Sequence, residues 1–366
     1  MGKIYSALGL MSGTSMDGVD ASIIQTDGKH EYQAILDKYF EYPKDIYKNL
    51  TTLRDKIKTS KDLKKHQKQI KVVEKEITIF HAKAVNEILK KKKVNIDFIG
   101  FHGQTIFHNA KEKITRQLGD GKLLSKLTQK KVVYNFRQND LINGGHGAPL
   151  APVFHQVLAK KLKLIPAYFL NIGGITNYTL VENELLTAND IGPGMCLVDY
   201  WVRTNSKKKY DKDGMLARSG RIDLDVLWKI QDNYKNKKKK RQSFDIKEFE
   251  VPFPKHVEHL TLENGAATYT QVTYEDLSPS LEFTKDCECN LILCGGGRKN
   301  KYLINLIKGS GIKFHLIDDY YIDGDFIESQ AFGYLAIRSY LKLPISFPET
   351  TGCKIPCTGG VTIEPV

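Results

Sequence analysis

Three segments of the chain share a pattern in which an apolar strand runs directly into a glycine-containing turn. In the first, an apolar run reaches Gly13, and alternating apolar and polar residues continue from Val19 to Thr26. Alternation with a period of two is typical of a half-buried strand, and the intervening Asp17-Gly18 is a strong hairpin signal. The first segment is therefore predicted to be a strand, a glycine turn and a second strand.

The other two segments lie in the second half of the chain. "AYFLNIGGITNYTLV" predicts a strand ending at Ile172, a Gly173-Gly174 turn and a strand from Thr176 to Val181. "NLILCGGGRKNKYLINLI" predicts a buried strand, a turn of three glycines and an amphipathic helix from about Asn300 to Ile307. Glycine turns expose backbone N–H groups and let a ligand approach closely, so all three are candidate anion sites.

Helical patterns separate these segments. Apolar residues at i, i+3 and i+4 spacing predict helices over residues 61–91, 149–161 and 326–341, and "FIGFHGQTIF" predicts a short strand. Alternating strands and helices indicate an α/β protein. Because each half opens with a glycine hairpin, we expect two lobes around a cleft. We expect residues 1–145 in the first lobe, with the tail from about residue 345 to 366 packed back on it, and residues 146–344 in the second.

Composition and charge restrict the classes of function that the chain can have. The 366 residues include 55 Lys and Arg against 42 Asp and Glu, a net charge of +13. The lysines occur in short bursts along the whole chain without interleaved aromatic residues, so we expect solvated surfaces and no nucleic-acid partner. Residues 237–241 are predicted to be an exposed loop. Neither a membrane span nor a signal peptide is apparent, so we expect a cytoplasmic protein with its six cysteines reduced.

The tetrapeptide Gly13-Thr14-Ser15-Met16 also surrounds the nucleophilic serine of subtilisin-like proteases. Those enzymes follow the chain order Asp, His, Ser, whereas Ser15 precedes every histidine here and lies in a turn between strands. A serine nucleophile also needs an oriented base. The turn is therefore interpreted as an anion holder. No Walker A loop and no protein-kinase motif set occurs in the chain.

Ten short motifs in order resemble the anhydro-N-acetylmuramic acid kinase family: GLMSGTSMDGVDA, GFHGQTIFH, RQLGD, NFRQND, GGHGAPLAPVFH, NIGGITN, DIGPG, YDKDG, LCGGGRKN and TTGC. The resemblance runs from residue 9 to the C-terminal tail. It implies two RNase H-like lobes, as in actin and sugar kinases, closing over ATP. It also implies ATP-dependent phosphorylation of 1,6-anhydro-N-acetylmuramic acid at O6, coupled to hydrolytic opening of the anhydro ring. The product would be N-acetylmuramic acid 6-phosphate, in peptidoglycan recycling.

The resemblance also implies the site residues. Asp190 matches the catalytic base, and Asp17 is the residue expected near Mg²⁺. The residues matching the ATP site are Gly13, Thr14, Ser15, Met16, Asp17, Gly18, Val19, Asp20, Gly173, Gly174, Asn177, Gly295, Gly296, Gly297 and Asn300. The residues matching the sugar site are Glu328, Arg137, Asp140, Gln117, Gly119, Asp120, His102 and Gln104. A homodimer is compatible with the resemblance, but no residue fixes the oligomeric state.

Alternatives remain open from the residues alone. Asp190 could instead cap a helix beginning near Met195, Asp17 needs no metal in a hairpin, and the sugar-site charges could form surface salt bridges. Four positions depart from the family pattern: Ile191, Met195, Asn135 and Gln138. These departures leave room for a sugar kinase with another acceptor and no ring opening. An ATP-gated binding protein is a further alternative.

Overall fold

The computed structural model describes residues 2–92, 94–183, 185–238, 249 and 257–365. Contacts divide the chain into two compact units, Met1–Lys163 with Phe326–Val366, and Leu164–Asp325. The expected bounds at residues 145 and 344 differ from these, because the helices at Pro152–Leu162 and Ile327–Tyr340 pack with the first unit. The predicted loop at residues 237–241 falls partly on a helix that ends at Lys238, and its remainder lies outside the described residues.

The described part of the first unit contains a seven-stranded sheet with helices on it. Its strands are β1 (Tyr5–Ser12), β2 (Gly18–Thr26), β3 (Tyr32–Glu41), β4 (Phe98–Asn109), β5 (Ile114–Leu118), β6 (Lys131–Tyr134) and β12 (Val361–Ile363). Its helices are α1 (Lys44–Lys56), α2 (Ser60–Lys65), α3 (Gln67–Lys91), α4 (Gly121–Thr128), α5 (Gln138–Ile142), α6 (Pro152–Leu162), α12 (Ile327–Tyr340) and α13 (Pro348–Thr351).

The second unit has a smaller sheet. Its strands are β7 (Ala167–Ile172), β8 (Ile175–Val181), β9 (Leu186–Pro193), β10 (Asn290–Cys294) and β11 (His315–Leu316). Its helices are α7 (Cys196–Asn205), α8 (Met215–Ser219), α9 (Leu224–Lys238), α10 (Leu262–Asp286) and α11 (Lys301–Gly309). The predicted helix after the third glycine turn is confirmed as α11.

The two sheets repeat one topology. In the first, the order β6-β4-β1-β2-β3 has three antiparallel strands followed by two parallel ones; in the second, β11-β10-β7-β8-β9 does the same. This is the RNase H-like strand order, so the predicted α/β fold class with two such units is confirmed. A glycine turn joins the first two strands of each sheet, which explains the repeat seen in the sequence.

Two local expectations need correction. The helix predicted over residues 61–91 is two helices, because His66 leaves the helical region (φ −101°, ψ 17°) and separates α2 from α3. The expectation of six reduced cysteines is wrong for one pair. Cys287 and Cys289 form a disulfide where the chain turns after α10 through a positive φ at Glu288. The other four cysteines, Cys196, Cys294, Cys353 and Cys357, are buried and are not part of a disulfide.

The tight approach of α12 to the first sheet depends on two glycines. A Cβ added to Gly9 would lie 1.8 Å from the carbonyl oxygen of Ser329, and one added to Gly100 would lie 2.1 Å from that of Phe332. Larger residues would therefore push the helix away from the sheet. This packing holds the first turn of α12, which carries Glu328, against β1.

Candidate active site

The first glycine hairpin joins β1 to β2 and is fastened from inside the first unit. The Ser12 hydroxyl lies 2.9 Å from the Gly18 carbonyl oxygen and 2.6 Å from Gln104 Oε1. Gln104 Nε2 donates to the Gly13 carbonyl at 3.0 Å. Met16 adopts a left-handed conformation (φ 57°), which is strained for this residue, and its side chain is buried. Thr14 and Ser15 are left exposed at the tip.

Acidic side chains surround the base of this hairpin. The Ser15 hydroxyl donates to Asp17 Oδ1 at 2.5 Å. Burial raises the pKa of Tyr39, and the charges of Asp17, Glu41 and Asp20 raise it further. Asp17 lies in the turn itself, and Asp20 follows in β2 opposite Tyr39. Hard carboxylate oxygens of this kind are the ligands that Mg²⁺ prefers.

The second hairpin, between β7 and β8, is joined to the turn that follows β9. Gly194 N donates to the Gly174 carbonyl at 2.9 Å, and Met195 N donates to the Gly173 carbonyl at 2.8 Å. A Cβ at Gly194 would lie 2.2 Å from the Gly173 oxygen, so only glycine fits there. Thr273 of α10 secures the turn by donating to the Gly194 carbonyl at 2.7 Å. The predicted phosphate hairpin and the predicted catalytic segment are thus one structural piece.

Asp190 lies in register with two asparagines of the neighbouring strands. Asn177 of β8 pairs with Asp190 of β9 and with Asn171 of β7, and residues directly opposite one another project to the same face. A bulge between Thr176 and Asn177 shifts the register just there, an arrangement that re-aims side chains next to active sites. Three polar side chains therefore form a row across the end of the sheet.

The alternative role of Asp190 as a helix cap does not fit the structure. Asp190 lies within β9 and is half-buried, whereas the N-cap residue of α7 is Met195, which makes no side-chain capping bond. The helix start is instead tied to the glycine turn by its backbone N–H groups. The catalytic role of Asp190 stays a prediction, but its position in the sheet is not explained by capping.

The third glycine turn follows β10 and adjoins the same polar row. Gly295 has φ 77°, and a Cβ on it would lie 2.4 Å from Asn171 Oδ1. A Cβ on Gly297 would lie 2.3 Å from Ile172 Cγ2. Packing therefore demands both glycines. A Cβ on Gly296, which lies between these two glycines, would have no atom within 4 Å.

Asn300, which matches the adenosine loop, has a structural role. Its Oδ1 accepts from Leu303 N at 3.0 Å and caps α11, while its buried Nδ2 has no hydrogen-bond partner in the described structure. A direct contact between Asn300 and a nucleotide stays a prediction.

Arg298 braces the third turn, a role that the local sequence patterns do not predict. Its guanidinium is buried, donates to the Gly295 carbonyl at 3.0 Å and pairs with Asp318 and Asp325 at 2.6 and 2.7 Å. The hydrogen bond from Arg298 lowers the pKa of Asp318. The run of acidic residues near position 320 was the available signal. Asn171 was also missed, although it ends an apolar strand just before the glycine pair.

In the first unit, the structure brings His102, Arg137 and Glu328 together. Arg137 Nη2 lies 2.9 Å from His102 Nε2, and His102 Nδ1 lies 2.8 Å from the Gly103 carbonyl oxygen. Because arginine can only donate, Nε2 is the acceptor and Nδ1 carries the proton. Burial and the Arg137 charge hold the pKa of His102 well below its ordinary value. Burial raises the pKa of the Glu328 carboxyl, and the Arg137 charge opposes that rise.

The other predicted sugar-site residues are occupied by bonds within the first unit. Asp140 accepts from Gly147 N and Thr351 Oγ1, both at 2.6 Å. Asp120 caps α4 through Lys122 N and Leu123 N. Gln117 donates to Thr115 Oγ1 at 2.8 Å, and Gly119 N donates to Glu74 Oε1 at 2.9 Å. These contacts give each residue a structural explanation, and their contact with a sugar stays a prediction.

The structure shows what surrounds each of the four residues that depart from the family pattern. Ile191 and Met195 pack against the apolar core of the second unit. Asn135 has φ 59°, a conformation that asparagine tolerates better than most residues. Gln138 donates to the Lys113 carbonyl at 3.4 Å. None of the four removes Asp190 or a glycine turn.

Comparison with known proteins decides the family. The family model described as anhydro-N-acetylmuramic acid kinase matches residues 5–365. The chain belongs to the anhydro-N-acetylmuramic acid kinase family. It is 52% identical over 376 residues to the anhydro-N-acetylmuramic acid kinase of Pelagibacter ubique and 35% identical over 379 residues to that of Agrobacterium fabrum, covering 100% of each chain in both cases. The suspected family and kinase class are thereby confirmed.

A solved structure of low identity also aligns with the chain. Component A of (R)-2-hydroxyglutaryl-CoA dehydratase from Acidaminococcus fermentans is 11% identical, with a TM-score of 0.44 over 92% of this chain and 100% of that one. Within the described residues, no helix has the length and apolar character needed to cross a membrane.

Proposed function

We propose that the protein phosphorylates 1,6-anhydro-N-acetylmuramic acid at O6 with ATP while water opens the 1,6-anhydro ring, giving N-acetylmuramic acid 6-phosphate. Membership of the family over residues 5–365 supports the proposal. The observation that carries it is the row of Asn171, Asn177 and Asp190, which joins a carboxylate to two of the three glycine turns.

The glycine turns fit the phosphates and ribose of ATP. A Cβ on Gly13 would have Ser15 Oγ, 4.0 Å away, as its nearest neighbour, and a Cβ on Gly296 would meet open space. Packing does not require glycine at these two positions, whereas a ligand approaching the backbone would. Backbone N–H groups in such turns suit anionic oxygens. We assign the hairpins at Gly13 and Gly173 to the phosphates and the turn at Gly296 to the adenosine.

The acidic residues beside the first hairpin fit Mg²⁺. Asp17 would hold the ion because its carboxylate belongs to the predicted phosphate turn, and Asp20 follows it at the start of β2. When bound, the ion neutralises charge that develops during phosphoryl transfer. The Asp17 carboxylate is itself oriented by the Ser15 hydroxyl.

Asp190 is assigned as the general base. It accepts a proton from the water that attacks the anomeric carbon, the bond from that carbon to O6 breaks, and the released O6 becomes the nucleophile for phosphoryl transfer. Asn177, opposite Asp190 in the sheet, positions the carboxylate. Arg137 and Glu328 are assigned to the sugar. His102 orients Arg137 by accepting its hydrogen bond.

The test is a single incubation with ATP, Mg²⁺ and 1,6-anhydro-N-acetylmuramic acid in ¹⁸O-labelled water. We expect a phosphorylated sugar carrying one ¹⁸O, detected by mass spectrometry. Phosphorylated product without ¹⁸O would contradict coupled hydrolysis. No product from a folded protein that still binds ATP would contradict the substrate.

A further inference from the structure

Three buried side chains of the first unit form a cluster that the proposed reaction does not use as a group. Asp140, Cys353 and Cys357 are 1%, 2% and 3% exposed, and one donor atom from each lies within 4.8 Å of the others. We propose that Asp140, Cys353 and Cys357 bind a divalent zinc-type cation that fastens the C-terminal segment to α5.

The Asp140 carboxylate is held by two hydrogen bonds and can still coordinate a metal ion. Asp140 Oδ2 accepts from Gly147 N, and Oδ1 accepts from Thr351 Oγ1. An ionised carboxylate has about four acceptor sites. Each oxygen of Asp140 therefore retains a lone pair after these two bonds.

The two cysteines are presented by a fixed loop between α13 and β12. Cys357 pairs with Ser346 in an antiparallel bridge, donating from its N to the Ser346 carbonyl at 2.9 Å. On the other side, Lys354 N donates to the Asn143 carbonyl at 3.1 Å, just beyond α5. The backbone thus holds both thiols beside Asp140 by contacts that involve no ligand atom.

The donor set and its spacing suit zinc. Thiolate and carboxylate are zinc ligands, with bonds of about 2.3 Å to sulfur and about 2.0–2.2 Å to oxygen. Donors of one tetrahedral ion consequently lie roughly 3.6–3.8 Å apart. Donors already within 4.8 Å of one another need to close by no more than about an ångström. Mg²⁺ and Ca²⁺ prefer all-oxygen sites, so the two sulfurs select a softer ion.

The charges and protons also balance. Two thiolates and a carboxylate carry three negative charges, and Zn²⁺ together with Arg137, on which the Asp140 charge acts, supplies three positive ones. Binding breaks two S–H bonds, forms two Zn–S bonds and one Zn–O bond, and releases two protons without electron transfer. The thiol of Cys357, which donates to the Ile355 carbonyl, gives up that hydrogen bond when the metal binds. Because binding releases two protons, the affinity for the metal ion should rise with pH. Water supplies the fourth ligand.

A titration with Co²⁺ tests the site. The untagged full-length chain is stripped with a chelator, kept reduced with a phosphine and titrated with Co²⁺, then with Zn²⁺ as competitor. We expect a cobalt–thiolate charge-transfer band and the visible bands of tetrahedral cobalt, saturating at one ion per chain. Zn²⁺ should abolish both and raise the Tm. Absence of the thiolate band in the folded, reduced protein would overturn the proposal.

Matched variants assign the sulfurs. Cys353→Ser and Cys357→Ser should each weaken Co²⁺ binding at least tenfold, whereas Cys196→Ala and Cys294→Ala remove buried thiols elsewhere and should leave it unchanged. Cys353→Ala replaces the serine variant if that variant fails to fold. Unchanged binding in folded Cys353 and Cys357 variants would overturn the proposal. So would a chain that binds no Co²⁺ when reduced but forms a Cys353–Cys357 disulfide on treatment with peroxide, which would make the pair a redox site instead.

Discussion

Asn177 and Asp190 lie directly opposite each other on β8 and β9, immediately after a bulge at which the register of the two strands shifts. On one side of the bulge Thr176 faces Gly192, and on the other Asn177 faces Asp190, so Ile191 is the extra residue. Its apolar side chain packs into the core of the second unit. The bulge thus places a partly buried apolar residue between Gly192, which faces Thr176, and Asp190, which faces Asn177.

This arrangement predicts the effect of Asp190→Asn. The variant keeps the size and strand position of the side chain but cannot accept a proton, so kcat should fall by about 10²–10⁴-fold. Binding of ATP, measured by calorimetry, should be nearly unchanged. Asp286→Asn, at the exposed end of α10, is the matched control and should retain full activity. A variant of Asp190 with more than a tenth of the wild-type kcat would remove it as the base.

The glycines of the turns separate into two groups by the space around them, and this predicts opposite effects of alanine. Gly13→Ala and Gly296→Ala should fold normally, because a Cβ there meets no packed atom, yet should raise the KM for ATP at least tenfold. Gly194→Ala places a Cβ 2.2 Å from a carbonyl oxygen and should cost about 1–3 kcal/mol of stability. Thermal melts of the three variants measure their stability, and steady-state kinetics measure their KM for ATP. Wild-type KM values in the first two would contradict the assigned nucleotide contacts.

Gln104 offers a test between two roles. The family resemblance matches it to the sugar site, but its side chain bonds Ser12 and the Gly13 carbonyl of the first hairpin. Gln104→Glu keeps the acceptor for Ser12 and loses the donor to Gly13, so it should loosen the hairpin. We expect the KM for ATP to rise several-fold while the KM for the sugar stays within about twofold, at a stability cost of about 1–3 kcal/mol.

The reverse pattern, with the sugar KM raised and the ATP KM unchanged, would show that Gln104 contacts the sugar. Gln25→Glu is a suitable control, because Gln25 lies on β2 away from the turn and donates only a long bond to Ser6 Oγ at 3.3 Å.

Local patterns in the sequence predicted the elements that carry the site. The glycine hairpins, the strand ending at Ile172 and the helix after Gly297 all follow from periodicity and turn residues, which act over a few neighbours. The break at His66 was missed because the apolar spacing continues across it and only the backbone angles change. The Cys287–Cys289 disulfide was missed because two cysteines one residue apart give no pairing signal.

Contacts between distant residues could not be predicted in this way. Gln104 meets Gly13 across 91 residues, and Arg298 meets Asp318 across 20, through sheet and loop geometry that no local period encodes. Helix capping, in contrast, can be predicted from the local sequence. Asp120 and Asn300 precede apolar helices, the usual position of an N-cap, and each accepts backbone N–H bonds in the structure.

His81 predicts how stability depends on pH. Burial in the first unit lowers its pKa from 6.5 to about 4, and its Nδ1 lies 2.7 Å from the Ile77 carbonyl. Between these two pKa values the unfolded chain binds a proton that the folded chain does not. The contribution of His81 to the free energy of unfolding is therefore fully present above pH 6.5 and is lost as the pH falls toward about 4. One such group changes the free energy of unfolding by about 1.4 kcal/mol per pH unit within this window.

Urea denaturation between about pH 5 and pH 7.5 measures this slope. His81→Phe keeps a ring against Phe101, whose centroid lies 5.0 Å away, and removes the titrating group, so its slope should be lower than that of the wild type by about 1.4 kcal/mol per pH unit. His30→Phe, at an exposed position, is the matched control for replacing an imidazole by a phenyl ring. Equal slopes in the His81 variant and the wild type would mean that His81 binds its proton in the folded protein as readily as in the unfolded chain.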